Sequence, residues 1–382
     1  MCAAYKAVKS GYQVAMMAPT AILASQHEVN FKNILEQYGI KCELLISGVT
    51  AKNKREILER LENGEIDILI GTHAVLEENV VFKNLGLVIT DEQHRFGVRQ
   101  RGILTEKGES VDTLVMTATP IPRTLALILF GDLDISIIDE LPPNRQKIDT
   151  FAVTKGLEER VNIFIEKQIK EGRQVYIVCP LVEENEEIDA KSVLETVEKY
   201  KNKILKNYRV EYLHGKMKVK EKEDVMNEFK NGNIDVLIST TVIEVGVDVP
   251  NATVMVIENA ERFGLAQLHQ LRGRVGRGEH KSYCILKFRG NSDVIRKRMQ
   301  IMADTNDGFK IAEKDLELRG TGDFFGTKQH GIPDFKVANL FEDMKILVEA
   351  QKIALEIIKE DPKFELEKNR LLKEHINKKI VI

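Results

Sequence analysis

The chain has 382 residues, 43% of them apolar, and its 56 Lys plus Arg against 59 Asp plus Glu leave a net charge of -3. That length allows two domains of ordinary size with an appendage, while the balanced charge excludes a protein that holds polyanions by overall charge, so any grip on nucleic acid has to be local. Cys2, Cys42, Cys179 and Cys284 lie far apart without a Cys-x-x-Cys pair, which argues against a cysteine metal site or a disulfide framework and for a reducing cytoplasm; no apolar run nears the roughly 20 residues that cross a bilayer, and no signal-peptide pattern opens the chain.

Residues 1–11 read as the tail of a helix with no strand or cap before it, so the sequence is expected to begin inside a longer protein. From Gln13 onward, short β-branched or apolar runs alternate with longer helical patterns, the signature of a parallel sheet with crossover helices. The runs predict strands at 14–17, 43–46, 67–70, 87–90, 113–116 and 135–138. Leu141-Pro142-Pro143-Asn144-Arg145 then stops any helix and suits an extended linker. The alternation restarts with strands predicted at 174–179, 209–213, 235–239, 253–257 and 283–286, giving two α/β units in tandem that can be structural copies. After Arg289 the strand signal ends, and the rest is helix-like, charged and broken by Gly320, Gly322, Gly326 and Gly331, which marks a third, smaller element.

The chemistry-bearing residues fall at the predicted strand ends. The run 85–90 is apolar apart from a glycine and suits a strand buried on both faces, so Asp91-Glu92 sits at its carboxyl end, where open α/β sheets bind ligands. One carboxylate there can hold Mg²⁺ and its neighbour can orient or deprotonate an attacking water. Thr117-Ala118-Thr119 ends the next strand, and small hydroxyls there can relay between an acidic site and a bound strand. In Gln270-x-x-Gly273-Arg274-x-Gly276-Arg277, two arginines three apart share one face of a helical turn, and guanidinium forks suit phosphate oxygens that gain charge. The glycines let the backbone approach another surface. Ser239-Thr240-Thr241 through Asp248 follows a buried strand, with hydroxyls for a phosphate backbone and an acid for a ribose. Thr20, Thr72 and His214 stand at further strand ends; each alone reads as a turn or helix cap, and their shared edge is the functional argument. No Gly-x-x-x-x-Gly-Lys-[Ser/Thr] phosphate loop occurs in the sequence.

These strings together resemble the superfamily 2 helicase motifs of the RecG family, which acts on branched DNA: Pro19-Thr20-Ala21-Ile22-Leu23-Ala24, Asp91-Glu92-Gln93-His94-Arg95-Phe96-Gly97-Val98-Arg99-Gln100, residues 116–124, 239–250 and 260–278. The resemblance covers nearly the whole chain and implies an α/β fold of two tandem RecA-like parallel-sheet domains, a P-loop NTPase helicase core. Residues 1–143 would be the first domain, truncated and without its Walker A loop, 144–289 the second, and 290–382 a carboxyl-terminal helical extension. It also implies ATP and Mg²⁺ as cofactors, Asp91 as the metal ligand, Glu92 as the residue that activates water, and Arg274 and Arg277 as arginine fingers. Gln270, Gly246, Asp248 and His94 would sit at the nucleotide. Thr20, Thr72, Thr117, Thr119, Thr240 and Thr241 would couple hydrolysis to DNA, with Arg319 and Gln329 in a translocation motif over 319–331. In that motif Thr321 and Phe325 stand where the family would have proline and leucine. The partners implied are branched double-stranded DNA and single-strand binding protein, for a cytoplasmic, nucleoid-associated monomer with no membrane contact. The transcription-repair coupling factor Mfd is the neighbouring family and resembles this chain less at Gln93-His94 and 99–101; a non-catalytic DNA-binding piece is the other alternative.

Overall fold

A computed structural model describes residues 1–92, 103–118, 134–140, 142, 145–180, 186–203, 205–240, 249–290, 292–324 and 344–380. The first sheet has five strands, β1 (Gln13–Met17), β2 (Cys42–Leu45), β3 (Ile68–Gly71), β4 (Leu85–Thr90) and β5 (Asp112–Val115), in the order β2-β3-β1-β4-β5. Every pair is parallel, so all carboxyl ends meet one edge. Helix α1 (Cys2–Lys9) precedes β1, α2 (Ala21–Leu35) joins β1 to β2, and α3 (Ala51–Glu62) joins β2 to β3. The inner strands are mostly apolar because both faces are covered. Val14, Met16, Ile68, Ile70, Leu87 and Ile89 pack on one side with Phe31 and Leu35 of α2, while Ala15, Met17, Leu69 and Val88 pack on the other with Leu61 of α3. The edge strands differ: β2 carries Glu43 and is half-buried at its centre, and in β5 Asp112, Thr113 and Leu114 are exposed.

The second sheet has six parallel strands, β6 (Ile148–Val153), β7 (Gln174–Val178), β8 (Val210–Leu213), β9 (Val236–Ser239), β10 (Ala252–Ile257) and β11 (Ser282–Lys287), in the order β6-β11-β10-β7-β9-β8. Its helices are α4 (Glu158–Lys170), α5 (Glu186–Lys203), α6 (Val219–Lys230) and α7 (Leu265–Arg272), followed by α8 (Asp293–Asp304). Read from β8, the order β8-β9-β7-β10-β11 repeats that of the first sheet, and β6 is an added strand outside β11. The outer flank of β5 carries no such strand among the described residues.

The duplication reaches single hydrogen bonds. The buried Gln13 side chain donates to the carbonyls of Leu61 and Ile66 at 2.9 and 2.8 Å, and Gln174 donates to those of Phe229 and Ile234 at 2.5 and 2.8 Å. Each glutamine pins the end of a helix and the start of the next strand to the central strand; Leu61 O and Phe229 O also accept the N–H of Gly64 and Gly232 at 3.0 and 3.1 Å, so the side chains add a second donor there. Asp67 and Asp235 each accept a backbone N–H at 2.8 Å, from Lys41 and Arg209.

Two sequence-based strand assignments need correction. Residues 135–138 form no strand: Ile135, Ile137 and Ile138 are 38, 39 and 88% exposed, and β-branched residues without a neighbouring strand to pair with have no ladder to join. The strand unforeseen in the sequence is β6, which the prolines before it and the mixed run Ile148-Asp149-Thr150 conceal. Beyond α8 come α9 (Gly308–Phe324), α10 (Met344–Glu360) and α11 (Arg370–Ile380), with no strand among the described residues. The chain divides into two compact units, one from Met1–Pro120 and Asp139–Asp315, the other from Ile121–Ile138 and Leu316–Ile382. All four cysteines are free, and burial pushes the thiols of Cys42 and Cys179 up to about 11 and that of Cys284 up to about 12. Among the described residues no helix is long and apolar enough to cross a membrane.

Candidate active site

Asp91 directly follows β4, and its backbone N–H donates to Met17 O at 3.0 Å, which fixes it beside the end of β1. Its Oδ2 lies 2.8 Å from His27 Nε2, two turns into α2, and its Oδ1 accepts the N–H of Glu92 at 2.9 Å. Glu92 has φ +52°, a left-handed conformation that a non-glycine residue holds only when its surroundings compensate. That backbone turns the carboxylate toward the end of the neighbouring strand, where Oε2 accepts the N–H of Ala118 at 3.3 Å.

The second sheet contains the same feature with different chemistry. Glu258 follows β10, its N–H donates to Val178 O at 2.9 Å, and the next residue, Asn259, has φ +47°. Glu258 is thus the counterpart of Asp91. Its charge, however, is cancelled from within: Lys287 Nζ lies 2.5 Å from Glu258 Oε1 and 3.2 Å from Glu158 Oε1, and the Tyr200 hydroxyl donates to Glu258 at 2.7 Å. Lys199 Nζ, 2.6 Å from Glu158, holds that carboxyl down at about 2, and burial keeps the Tyr200 phenol protonated by raising its pKa well above 10. In the paired register Thr90 faces Val115 and Ile257 faces Leu286, so the first-sheet residue matching Lys287 is Met116. Asp91 therefore has no lysine or arginine partner among the described residues. A strand-end carboxylate left without a protein cation suits Mg²⁺, which uses one or two carboxylates and completes its shell with water and phosphate oxygens.

The arginine segment starts from α7. Gln270 is half-buried on that helix and Arg274 half-buried just beyond it. Gly276 has φ +78°, and a Cβ there would come within 2.9 Å of Ile148, so the glycine is required both by conformation and by the close approach anticipated from the sequence. Arg277 is exposed and donates from Nε to Gly273 O at 3.3 Å, as Arg145 does from Nη2 at 3.3 Å. Arg272, unremarked in the sequence, is 2% exposed. Its Nη1 donates to Met302 O and Thr305 O, both at 2.8 Å, serving the open carbonyls that end α8. Its Nη2 donates to His269 Nδ1 at 3.0 Å.

Burial, with Arg272 and Arg145 adding repulsion, pulls His269 down to about 4 from 6.5. The unfolded chain takes up this proton near pH 6.5 and the folded one only near pH 4. The neutral ring thus contributes stability that is complete above pH 6.5 and lost as pH falls toward 4, on the order of 3 kcal/mol. Unfolding midpoints measured at pH 7.5 and 4.5 should differ less for His269→Asn than for the unsubstituted chain; an identical difference would contradict this origin.

Of the hydroxyl residues, Thr20 caps α2 by accepting the N–H of Leu23 at 3.4 Å, Thr72 is 4% exposed, and Thr117 is exposed. Thr240 is 1% exposed, and its Oγ1 has no hydrogen-bond partner among the described residues. The parallel topology places Thr20, Thr72, Asp91 and Thr117 on the carboxyl edge of the first sheet, and Thr240 and Glu258 on that of the second. His94, Thr119, Thr241, Gly246, Asp248 and Gln329 lie outside the described residues, and only the helical backbone is described at Arg319. His27, Glu258, His269, Arg272 and Lys287 were not singled out from the sequence. The parallel strings Asn63-Gly64-Glu65-Ile66-Asp67 and Asn231-Gly232-Asn233-Ile234-Asp235 are the signal that would have aligned the two sheets and exposed the Asp91–Glu258 equivalence.

Two duplicated parallel sheets, acids on the carboxyl edge of the first and arginines following the last helix of the second define a tandem RecA-like helicase core. Residues 1–128 match the family DEAD/DEAH box helicase and residues 157–279 the family Helicase conserved C-terminal domain. Residues 305–380 match the family ATP-dependent DNA helicase RecG, domain 3, C-terminal. The ATP-dependent DNA helicase RecG of Bacillus subtilis is 50% identical over 376 residues, covering 97% of this chain and 55% of that protein. RecG of Streptococcus pneumoniae is 48% identical, covering 99% and 56%. A solved structure, RecG bound to three-way DNA junction, superimposes with a TM-score of 0.72 at 46% identity over 91% of this chain and 45% of that one. The chain belongs to the RecG family, and it spans about half the length of the curated relatives it matches.

Proposed function

We propose that residues 1–382 carry the motor of an ATP-dependent helicase that translocates on double-stranded DNA and remodels branched substrates such as forks and junctions. The observation that carries this reading is Asp91: of two equivalent strand-end acids it is the one with no lysine or arginine partner among the described residues, beside a Glu92 held in a left-handed backbone. Asp91 would hold Mg²⁺, which when bound would neutralise charge on phosphate oxygens. Glu92 would orient the attacking water, and Arg274 and Arg277 would bring donors to charge that develops on the transferred group. Thr20, Thr72, Thr117, Thr119, Thr240 and Thr241 would link that site to DNA, and Arg319 and Gln329 would act on the duplex. Gln270, Gly246, Asp248 and His94 would line the nucleotide.

The phosphate cradle is the part that residues 1–382 do not provide as a Gly-x-x-x-x-Gly-Lys-[Ser/Thr] string. The second sheet suggests its place: β6 covers β11 there, whereas the equivalent flank of β5 carries no strand among the described residues and Asp112, Thr113 and Leu114 are exposed. A strand added to β5 would bring its following loop to the acids. The working boundaries are 1–143, 144–289 and 290–382. The motor would act as a monomer in the bacterial cytoplasm at the nucleoid; single-strand binding protein as a partner rests on the family resemblance alone. The match of 305–380 to a RecG domain favours this reading over a transcription-coupled one.

ATP hydrolysis measured with and without a three-way junction tests it. The 382-residue chain should turn over ATP negligibly, and a version extended through a Gly-Lys-Thr loop should respond to junction DNA. A junction-stimulated rate in the 382-residue chain equal to that of the extended form would refute the proposal.

A further inference from the structure

We propose that His27 is a positioning residue for the cation site: it fixes the Asp91 carboxylate while leaving a lone pair on each of its oxygens free for the metal. The inference rests on the reading of Asp91 as the Mg²⁺ ligand. An ionised carboxylate only accepts hydrogen bonds, so the 2.8 Å contact between His27 Nε2 and Asp91 Oδ2 has the imidazole as donor. Glu92 N–H holds Oδ1 at 2.9 Å, so each carboxylate oxygen is tied by one donor and keeps a lone pair for a metal. The two side chains are partly shielded, at 20% and 19% exposure. The second sheet supplies the contrast. There a lysine ammonium, Lys287, occupies the place of a cation against Glu258. His27 is set on a rigid element, in the second turn of α2, whose first turn is capped by Thr20 and whose Phe31 and Leu35 are locked in the core. A hydrogen-bonded partner behind a ligating carboxylate typically contributes about 10- to 100-fold in metal affinity.

Mn²⁺ serves as the probe, its binding to the 382-residue chain being followed by electron paramagnetic resonance of the free ion. Asp91→Asn should abolish binding at this site; unchanged binding in that variant would overturn the cation-site reading itself, separately from the role of His27. His27→Ala should weaken binding about tenfold or more with an unchanged thermal unfolding curve, and His27→Gln, which keeps an N–H donor, should recover most of the loss. Affinity in His27→Ala equal to or tighter than that of the unsubstituted chain would overturn the proposal. A second readout needs no change at His27: in chain labelled with ¹⁵N-histidine, Mn²⁺ should broaden the His27 ring signal, and Asp91→Asn should remove the broadening. A His27 signal unaffected by Mn²⁺ while Asp91 binds it would also overturn the proposal.

Discussion

Replacing Arg274 by alanine, in a longer protein that joins residues 1–382 to a phosphate-holding loop, is expected to slow ATP turnover by about 10³-fold or more, because an arginine that meets charge developing in the transition state contributes about 10³–10⁵ in rate. Nucleotide affinity should stay nearly intact, since the contact is made mainly in the transition state. Arg274 is half-buried beyond α7, a helix anchored by Arg272 to the end of α8, so the effect should come from the lost guanidinium and not from disordering the segment. Arg274→Lys should rescue little, because an ammonium cannot reproduce the planar fork. Steady-state turnover and fluorescent-nucleotide titration separate the two quantities; a fall in affinity as large as the fall in rate would mean that Arg274 binds the ground state.

Lys287→Met is expected to lower stability by roughly 3–5 kcal/mol, the usual consequence of removing one partner from a buried charge pair. The lysine side chain is 9% exposed and Glu258 13%, and without Nζ the Glu258 and Glu158 carboxylates share a partly buried site with only Lys199 and the Tyr200 hydroxyl to answer them. Removing the second charge should reverse most of the loss, so Lys287→Met with Glu258→Gln should unfold in urea close to the unsubstituted chain. A double variant as unstable as the single one would place the cost in packing and not in charge.

The parallel strands were legible because a strand covered on both faces must be apolar at every position, as Val14-Ala15-Met16-Met17 and Ala252-Thr253-Val254-Met255-Val256-Ile257 nearly are. β6 and residues 135–138 were read the wrong way round because an edge position tolerates polar residues, and isoleucines at 135, 137 and 138 cannot announce that they lack a neighbouring strand. The acidic pair and the arginine string could be singled out because their residue types and places at strand ends carry chemistry directly. His27 and Lys287 could not. Nothing local marks them, since their meaning comes from the carboxylates they face, 64 and 29 residues away in sequence. Arg272 was hidden differently: within a string of arginines only burial distinguishes the one that ties helices together from those that remain accessible.

In the proposed motor, the carboxylates of the first sheet and the arginines of the second serve a single hydrolytic event. Rates for Glu92→Gln, Arg274→Ala and the double variant, measured in one extended protein with junction DNA present, address that claim most directly. Groups that act as a unit are strongly non-additive, so the double variant should be about as slow as the slower single variant. If the two losses multiply, the residues act in separate steps and the shared site is wrong.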